Sequence, residues 1–433
     1  MGDGKRVVVI GAGMAGVAAA WHLHKNGYEV QLVESLKKAG GRIDTAIAEG
    51  EHVEQGMQFY YSAYTETNKL LEELDLKKLA HPVHIKGQMI RGGKKAPFNK
   101  KMPWLSLLSA GENLKLWGLI ARQGLNMLAL NVFDYEADEK LDSIDVGKYF
   151  GGSKAILDLV ARPMTSSYGF VEPEGHSMAM VLRIMKLGAS AKTFVLPGGN
   201  DSLARSIAER VNMVWGRAQK VVFQKGRPSG VVVEQGKKKK TLKADHVICA
   251  TPAPETARLI AGHKEVAQQI KQVEFADIVL THLYLDRPLY DNGVFYIFSR
   301  DDGYSASFAI DCVGKCRPAF TTENSILQLH FTSPLATMLL KRKEKEIIQM
   351  AIDDIKAFYP DIEKWIIKTS VKKRSPAIPN FKVGAFRTIR EAEQAVTSVP
   401  GLYIAGDYLK SPLAEGAVRS GLKAAQLVMN SED

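Results

Sequence analysis

Three glycines and a carboxylate near the start of the chain have the types and spacing of a dinucleotide site. The run Gly11-Ala-Gly13-Met14-Ala15-Gly16 gives each glycine a mechanical task. Gly11 permits a tight turn, Gly13 lets the backbone approach a pyrophosphate, and Gly16 lets a helix pack on a strand. The N–H groups opening that helix, among them those of Met14 and Ala15, present a positive dipole end to phosphates. Glu34 follows 18 residues after Gly16. A carboxylate there accepts hydrogen bonds from an adenosine ribose and repels a 2′-phosphate, which disfavours NADP.

The elements that must hold these residues are legible around them. Arg6 to Ile10 is an apolar strand, Ala15, Ala18, Ala19 and Leu23 recur at helical spacing up to about Lys25, and Gly27 stops the helix. Glu29 to Val33 is a second strand, completing a βαβ unit. Two further apolar strands end in small residues: His246 to Ala250, and Leu402 to Ala405, which leads through Gly406-Asp407 into a closing helix from about Gly416. Between them lie a helix-rich stretch, about 85–194, and a stretch of about 276–385. The latter opens with strands at Ile278–Leu285, Val294–Phe298, Tyr304–Ile310 and Ile326–Phe331 and continues with a helix from Glu344 to Phe358. The expectation is an α/β protein. A Rossmann-like nucleotide domain of discontinuous segments (1–84, 195–275 and 386–433) is interleaved with an α+β substrate domain (85–194 and 276–385).

Composition narrows the class. The 433 residues are 45% hydrophobic and 24% charged, as in a folded α/β protein. No apolar stretch is long enough to span a bilayer and no signal peptide is apparent. Three cysteines, Cys249, Cys312 and Cys316, are too few for a disulfide framework, and Cys312-Val-Gly-Lys-Cys316 lacks the second ligand pair of a zinc site. The expectation is a cytoplasmic protein with no metal. The net charge of +11 suits anionic partners. However, Lys237 to Lys240 reads as the charged tip of a hairpin, and no nucleic-acid partner is expected. Arg91, Lys94, Lys95, Lys100 and Lys101 precede an apolar segment, Pro103 to Phe133. That segment is expected to pack as a helix on the substrate domain's own core, the alternative being peripheral contact with an anionic membrane.

Beyond Glu34 the chain reads Gly40-Gly41-Arg42, then Glu54-Gln-Gly56-Met57-Gln58, Leu196-Pro-Gly-Gly199 and Ala250-Thr-Pro252. It ends with Gly401-Leu-Tyr-Ile-Ala-Gly406-Asp407 and Glu415-Gly416-Ala417-Val-Arg-Ser-Gly421. In this order, over nearly the whole length, the sequence resembles the flavin amine oxidase superfamily, which includes monoamine oxidases, protoporphyrinogen oxidases and phytoene desaturases. The resemblance implies an FAD-dependent oxidoreductase that transfers hydride from an organic substrate to flavin N5. It places Arg42 at the FAD pyrophosphate and Gly56, Met57 and Gln58 beside the flavin. It also places the Ala218 backbone at the adenine, Asp407 at the ribitol, and Gly416 and Ala417 at the pyrimidine edge. There is no second glycine fingerprint for NAD(P)H, so O₂ or a quinone is the expected electron acceptor.

Three departures bear on the chemistry. Amine oxidases carry a lysine near N5, and alignment puts Thr281 there. The aromatic before Glu-Gly-Ala is replaced by Leu413. No Cys follows Cys316 and no His follows His330, so FAD is expected to be non-covalent. These shift the reading toward the protoporphyrinogen oxidases and desaturases and a small-molecule, apolar or amphipathic substrate. The alternatives are an amine oxidase without the lysine, a flavin-mediated isomerase, or a non-catalytic binding protein similar to GDP-dissociation inhibitors. Gln58, Tyr60, Thr281 and His282 are the residues expected to line the pocket. Phe59-Tyr60-Tyr61 is expected at its floor, and His330 is a further possible lining residue.

Overall fold

The computed structural model describes residues 5–99, 101–133, 139–289 and 294–431. Strand β1 (Arg6–Ile10) is buried on both faces, as its unbroken Val-Val-Val-Ile run requires in a covered parallel sheet. Helix α1 (Met14–Lys25) follows, and Gly27, at φ +83°, makes the turn into β2 (Glu29–Glu34). A five-stranded parallel sheet is built in the order Asn212–Trp215, β2, β1, His246–Cys249, Leu402–Ile404. The strand-to-turn junctions read at three distant places in the sequence thus meet at one sheet edge. The C-terminal helix Ala414–Asn430 lies against α1, and a Cβ on Gly421 would overlap the Ala15 carbonyl.

The hairpin expected around the lysine run forms from Arg227–Gln235 and Lys238–Lys243, with Lys238, Lys239 and Lys240 exposed. The Pro103–Phe133 segment contains α2 (Ala110–Ala129), which opens with a Ser109/Glu112 capping box. Its packing differs from the expected core helix. Of its 20 residues only Leu116 and Gln123 are buried, while Leu114, Leu125 and Leu128 are 78%, 81% and 70% exposed. The apolar residues run round the helix and one narrow stripe finds a partner.

The second large sheet is assembled around β3 (Phe275–Leu285), β4 (Phe308–Asp311) and β5 (Ile326–Thr332). Its order is Ile366–Pro379, β3, β5, β4, Phe295–Phe298, Gly87–Arg91, Lys94–Phe98. Neighbours are antiparallel except Phe295–Phe298 with Gly87–Arg91, where a strand from the first third of the chain joins in parallel. From Ile278 to Tyr284 the register of β3 is regular. Val279 and Leu283 pack with Ile347, Ala351 and Ile355 of the helix Glu344–Ile355, so the opposite face carries Ile278, Leu280 and His282. Among the described residues no helix is long and apolar enough to cross a membrane.

Candidate functional site

A cavity of about 2420 Å³ runs from the edge of the parallel sheet to the face of the seven-stranded sheet. Ordinary ligand pockets hold roughly 300–1,000 Å³, so this one accommodates a large cofactor together with a substrate. At the first end, Gly11 (φ +101°) turns where a Cβ would stand 2.7 Å from Ala250 O, and a Cβ on Gly16 would overlap Gly11 O. Nothing lies within 4 Å of a Cβ on Gly13, and no side chain caps α1. The α1 N-terminus with Gly13, Met14 and Ala15 therefore faces open cavity, as a cradle for a pyrophosphate demands.

Glu34 is 8% exposed on the cavity wall. Its Oε2 accepts from Ala12 N (2.9 Å) and its Oε1 from Leu36 N (2.8 Å) and Ser35 Oγ (3.0 Å). That leaves one of roughly four lone-pair sites for a ribose. Gly41, Gly56, Met57, Ala218, Ala250, Gly406 and Ala417 lie along the same wall. Gly416 does not line it, and a Cβ there would meet Ser411. Arg42 and Asp407, expected to meet different parts of a cofactor, hold each other in a bidentate pair at 2.6 and 2.7 Å. Arg42 also donates to Ala377 O at 3.0 Å. Burial raises the Asp407 carboxyl and Arg42 pulls against that shift.

At the other end the wall is apolar, with Ile278, Phe295, Ile297, Phe308 and Ile310 from the seven-stranded sheet and Leu413 from the C-terminal loop. Phe59 and Tyr61 line it as expected. Tyr60 does not, because strand alternation turns it inward, where its hydroxyl donates to Asn200 O at 2.6 Å. Thr281 is also misplaced by the sequence reading. It shares the face of Val279 and Leu283, away from the cavity, and its Oγ1 is buried without a partner. Leu280 takes the cavity-side face. His282 has the right face but is sealed off, with Gln328 Nε2 at 2.6 Å, and burial lowers its imidazole to about 4.

His330 does reach the cavity, between the rings of Phe308 (4.1 Å) and Phe170 (5.7 Å), and burial keeps it neutral. Gln58 lines the wall as expected, its amide donating to Gly56 O (2.9 Å) and Gln328 Oε1 (2.8 Å). Sequence reasoning missed the residue behind it. Lys315, 5% exposed, donates to Gln58 O and Oε1, both at 3.0 Å. The run Cys312–Cys316 that contains it holds two buried free thiols, and the described residues hold no metal-ligating cluster. Of the basic cluster, Arg91 Nη1 donates to Leu107 O and Lys95 lies over the Phe358 ring, Lys101 touches the cavity, and Lys100 lies outside the described residues.

With this geometry, comparison with known proteins is informative. The family described as flavin containing amine oxidoreductase matches residues 14–429. A 15-cis-phytoene desaturase of an Oncidium hybrid cultivar is 24% identical over 99% of this chain and 78% of its own length. A zeta-carotene desaturase of Synechocystis is 23% identical over 99% and 98%. Among solved structures, cyclohexylamine oxidase of Brevibacterium oxydans superposes with a TM-score of 0.78 at 18% identity over 99% of both chains. A putrescine oxidase bound to putrescine gives 0.79 at 16% over 98% and 99%.

Proposed function

The chain belongs to the flavin-containing amine oxidoreductase family, and from that premise we propose that this FAD-dependent oxidoreductase dehydrogenates a large apolar or amphipathic substrate, in the manner for which its desaturase relatives are named. The observation that carries the reading is the single cavity joining a phosphate cradle to an apolar wall. When bound, FAD supplies the two-electron acceptor for hydride leaving a substrate carbon.

The chain's own residues do the rest. The turn Gly11–Gly16 and the first N–H groups of α1 bind the pyrophosphate, Glu34 accepts from the ribose, and Ala218 and Ala250 border the adenine side. Arg42 and Asp407 pin the Gly40-Gly41 loop to the start of the last segment. Gly56, Met57, Gln58, Gly406 and Ala417 border the ring, and Gly416 brings the C-terminal helix close to Ser411. Phe295, Ile297, Phe308 and Leu413 orient an apolar chain and exclude water. In this reading 1–84, 195–275 and 386–433 hold the cofactor without a covalent bond and 85–194 and 276–385 hold the substrate. None of the three cysteines lines the cavity.

The substrate enters beside α2. Trp117 is 46% exposed and also lines the cavity, next to exposed Leu114. That position supports peripheral contact with a lipid surface, and in this reading a quinone or O₂ is the final acceptor. The test is anaerobic bleaching of the flavin across amines, porphyrinogens and polyenes. Bleaching by polyenes or porphyrinogens is expected, and bleaching by small amines alone overturns the proposal.

A further inference from the structure

A lysine buried behind a cavity wall needs a reason, since an ammonium taken from water costs several kcal/mol unless charge or hydrogen bonds offset it. Lys315 has only partial compensation. Two of its N–H donors go to one residue, Gln58, and among the described residues no carboxylate oxygen lies within ion-pairing distance. The carboxyl that feels it most is Glu54, which burial raises to about 7 and Lys315 pulls back down. Glu54 is itself engaged by Asn200 N (2.8 Å) and Thr45 Oγ1 (2.9 Å).

The placement of Lys315 is built. Asp311 caps the short helix Cys312–Lys315 by accepting from Gly314 N (3.1 Å), and Ser325 Oγ donates to the same carboxylate at 2.8 Å. Gly314 is required, because a Cβ there would press on the Asp311 carboxylate. The amide of Gln58 is fixed as well. Its oxygen accepts from Lys315, and its nitrogen donates to Gly56 O and Gln328 Oε1. Gln58 thus bridges the segment that packs against Arg42 to Gln328 of β5.

We propose that Lys315 is a positioning residue that fixes Gln58 and places an added positive charge behind it, whose field would stabilise the negative charge that bound FAD takes up with the hydride. The proposal rests on the FAD reading and deepens it. With FAD bound, dehydrogenation would take a hydride (two electrons and a proton) from one substrate atom to the cofactor and release a proton from the neighbouring atom to solvent, so that the new double bond forms and the cofactor gains negative charge. The Lys315 charge favours the reduced state without forming a bond, as preorganised charge does in a site closed to water. Lys372, opposite Leu280, and Arg374, opposite Ile278, also line the cavity, but both are paired with Asp44 (3.5 and 3.1 Å), whereas Lys315 has no carboxylate within ion-pairing distance among the described residues.

The test is the equilibrium between the reduced holoenzyme and a reference redox dye, with wild type, K315M, K315Q and K315R each checked for flavin content. K315M and K315Q are expected to move the reduced-to-oxidised ratio about tenfold toward oxidised flavin, about 30 mV in midpoint potential. K315R, which keeps the charge, is expected to stay within about threefold of wild type. A K315M ratio equal to wild type overturns the proposal, as does K315R moving as far as K315M. Should K315M lose its flavin, K315Q against K315R decides by the same two criteria. The dye equilibrium uses no substrate, so an unmoved potential refutes Lys315 alone and a failed substrate panel refutes the dehydrogenation reading alone.

Discussion

Replacing Arg42 with Ala isolates one buried charge. In the native protein both Asp407 oxygens accept from the guanidinium, and the Asp407 side chain is 9% exposed. Removing one partner of such a pair costs about 3–5 kcal/mol, because the remaining charge is left desolvated. The carboxyl has an escape that sets the pH dependence. Burial already raises Asp407 above its ordinary value and Arg42 opposes this, so R42A raises it further. A carboxyl whose folded value exceeds its unfolded value binds its proton first in the folded state. Stability therefore rises as pH falls through the raised value, and the gain is complete below the ordinary carboxylate range. The R42A penalty should be about 3–5 kcal/mol at about pH 8 and smaller at about pH 5, as the carboxyl begins to take up its proton. Asp407→Asn removes the titrating group, so its own unfolding free energy should lack this carboxyl's pH dependence, which R42A shows more strongly than wild type. The assay is urea unfolding at both pH values, with and without excess FAD. Added FAD should stabilise wild type more than R42A if the guanidinium also reaches the pyrophosphate. An R42A penalty that is equal at the two pH values, or below about 1 kcal/mol at the higher one, refutes the reasoning.

Glu34→Ala should leave Ala12 N and Leu36 N without their acceptor and remove ribose bonds of about 1.5–3 kcal/mol each. Flavin occupancy after dialysis should fall and recover partly in excess FAD, and full occupancy would contradict this. Acid or heat precipitation should release all flavin to the supernatant, whereas flavin in the pellet would mean a covalent link. Thr281→Lys should destabilise the fold without speeding reoxidation by O₂, since that side chain points toward the helix Glu344–Ile355. Stopped-flow reoxidation of the dithionite-reduced protein checks it, and a clear acceleration would show that the lysine reaches the flavin.

Much of the fold is local enough to be read from sequence. β1, the glycine turn, α1 and β2 follow from apolar runs and turn residues within 30 positions, and their boundaries match within a residue or two. The strand Ile366–Pro379 escapes because it is an edge. Lys368, Lys372, Lys373 and Pro376 obscure alternation while protecting an exposed ladder. The hairpin Gly87–Phe98 reads as a basic cluster because its pairing partner lies about 200 residues away. The errors at Tyr60 and Thr281 share one cause. In a strand a displacement of one residue reverses the face, and short motifs do not fix parity. Lys315 was read past because its burial comes from Gln58, 257 positions away, and no local pattern encodes it.

The placement of charge in the cavity bears on the choice between an amine and an apolar substrate. Its carboxylates among the described lining residues are Glu34, Glu255 and Asp407. Glu34 accepts from its own turn, Asp407 is paired with Arg42, and Glu255 is paired with Arg258 at 2.6 Å. None belongs to the wall formed by Ile297, Phe308 and Ile310. The cations that line the cavity, Arg42, Lys101, Lys192, Arg217, Lys372, Lys373 and Arg374, outnumber these carboxylates even though Arg42 is paired with Asp407 and Lys372 and Arg374 with Asp44, and Lys315 adds a buried ammonium behind Gln58. Such a field draws in a pyrophosphate. A substrate ammonium would have to enter it and then lose its water against an apolar wall with no counterion, two costs of the same sign. A neutral chain meets neither. The excess of positive charge that suits the cofactor is thus the feature on which the proposed preference for a neutral substrate over a cationic amine rests.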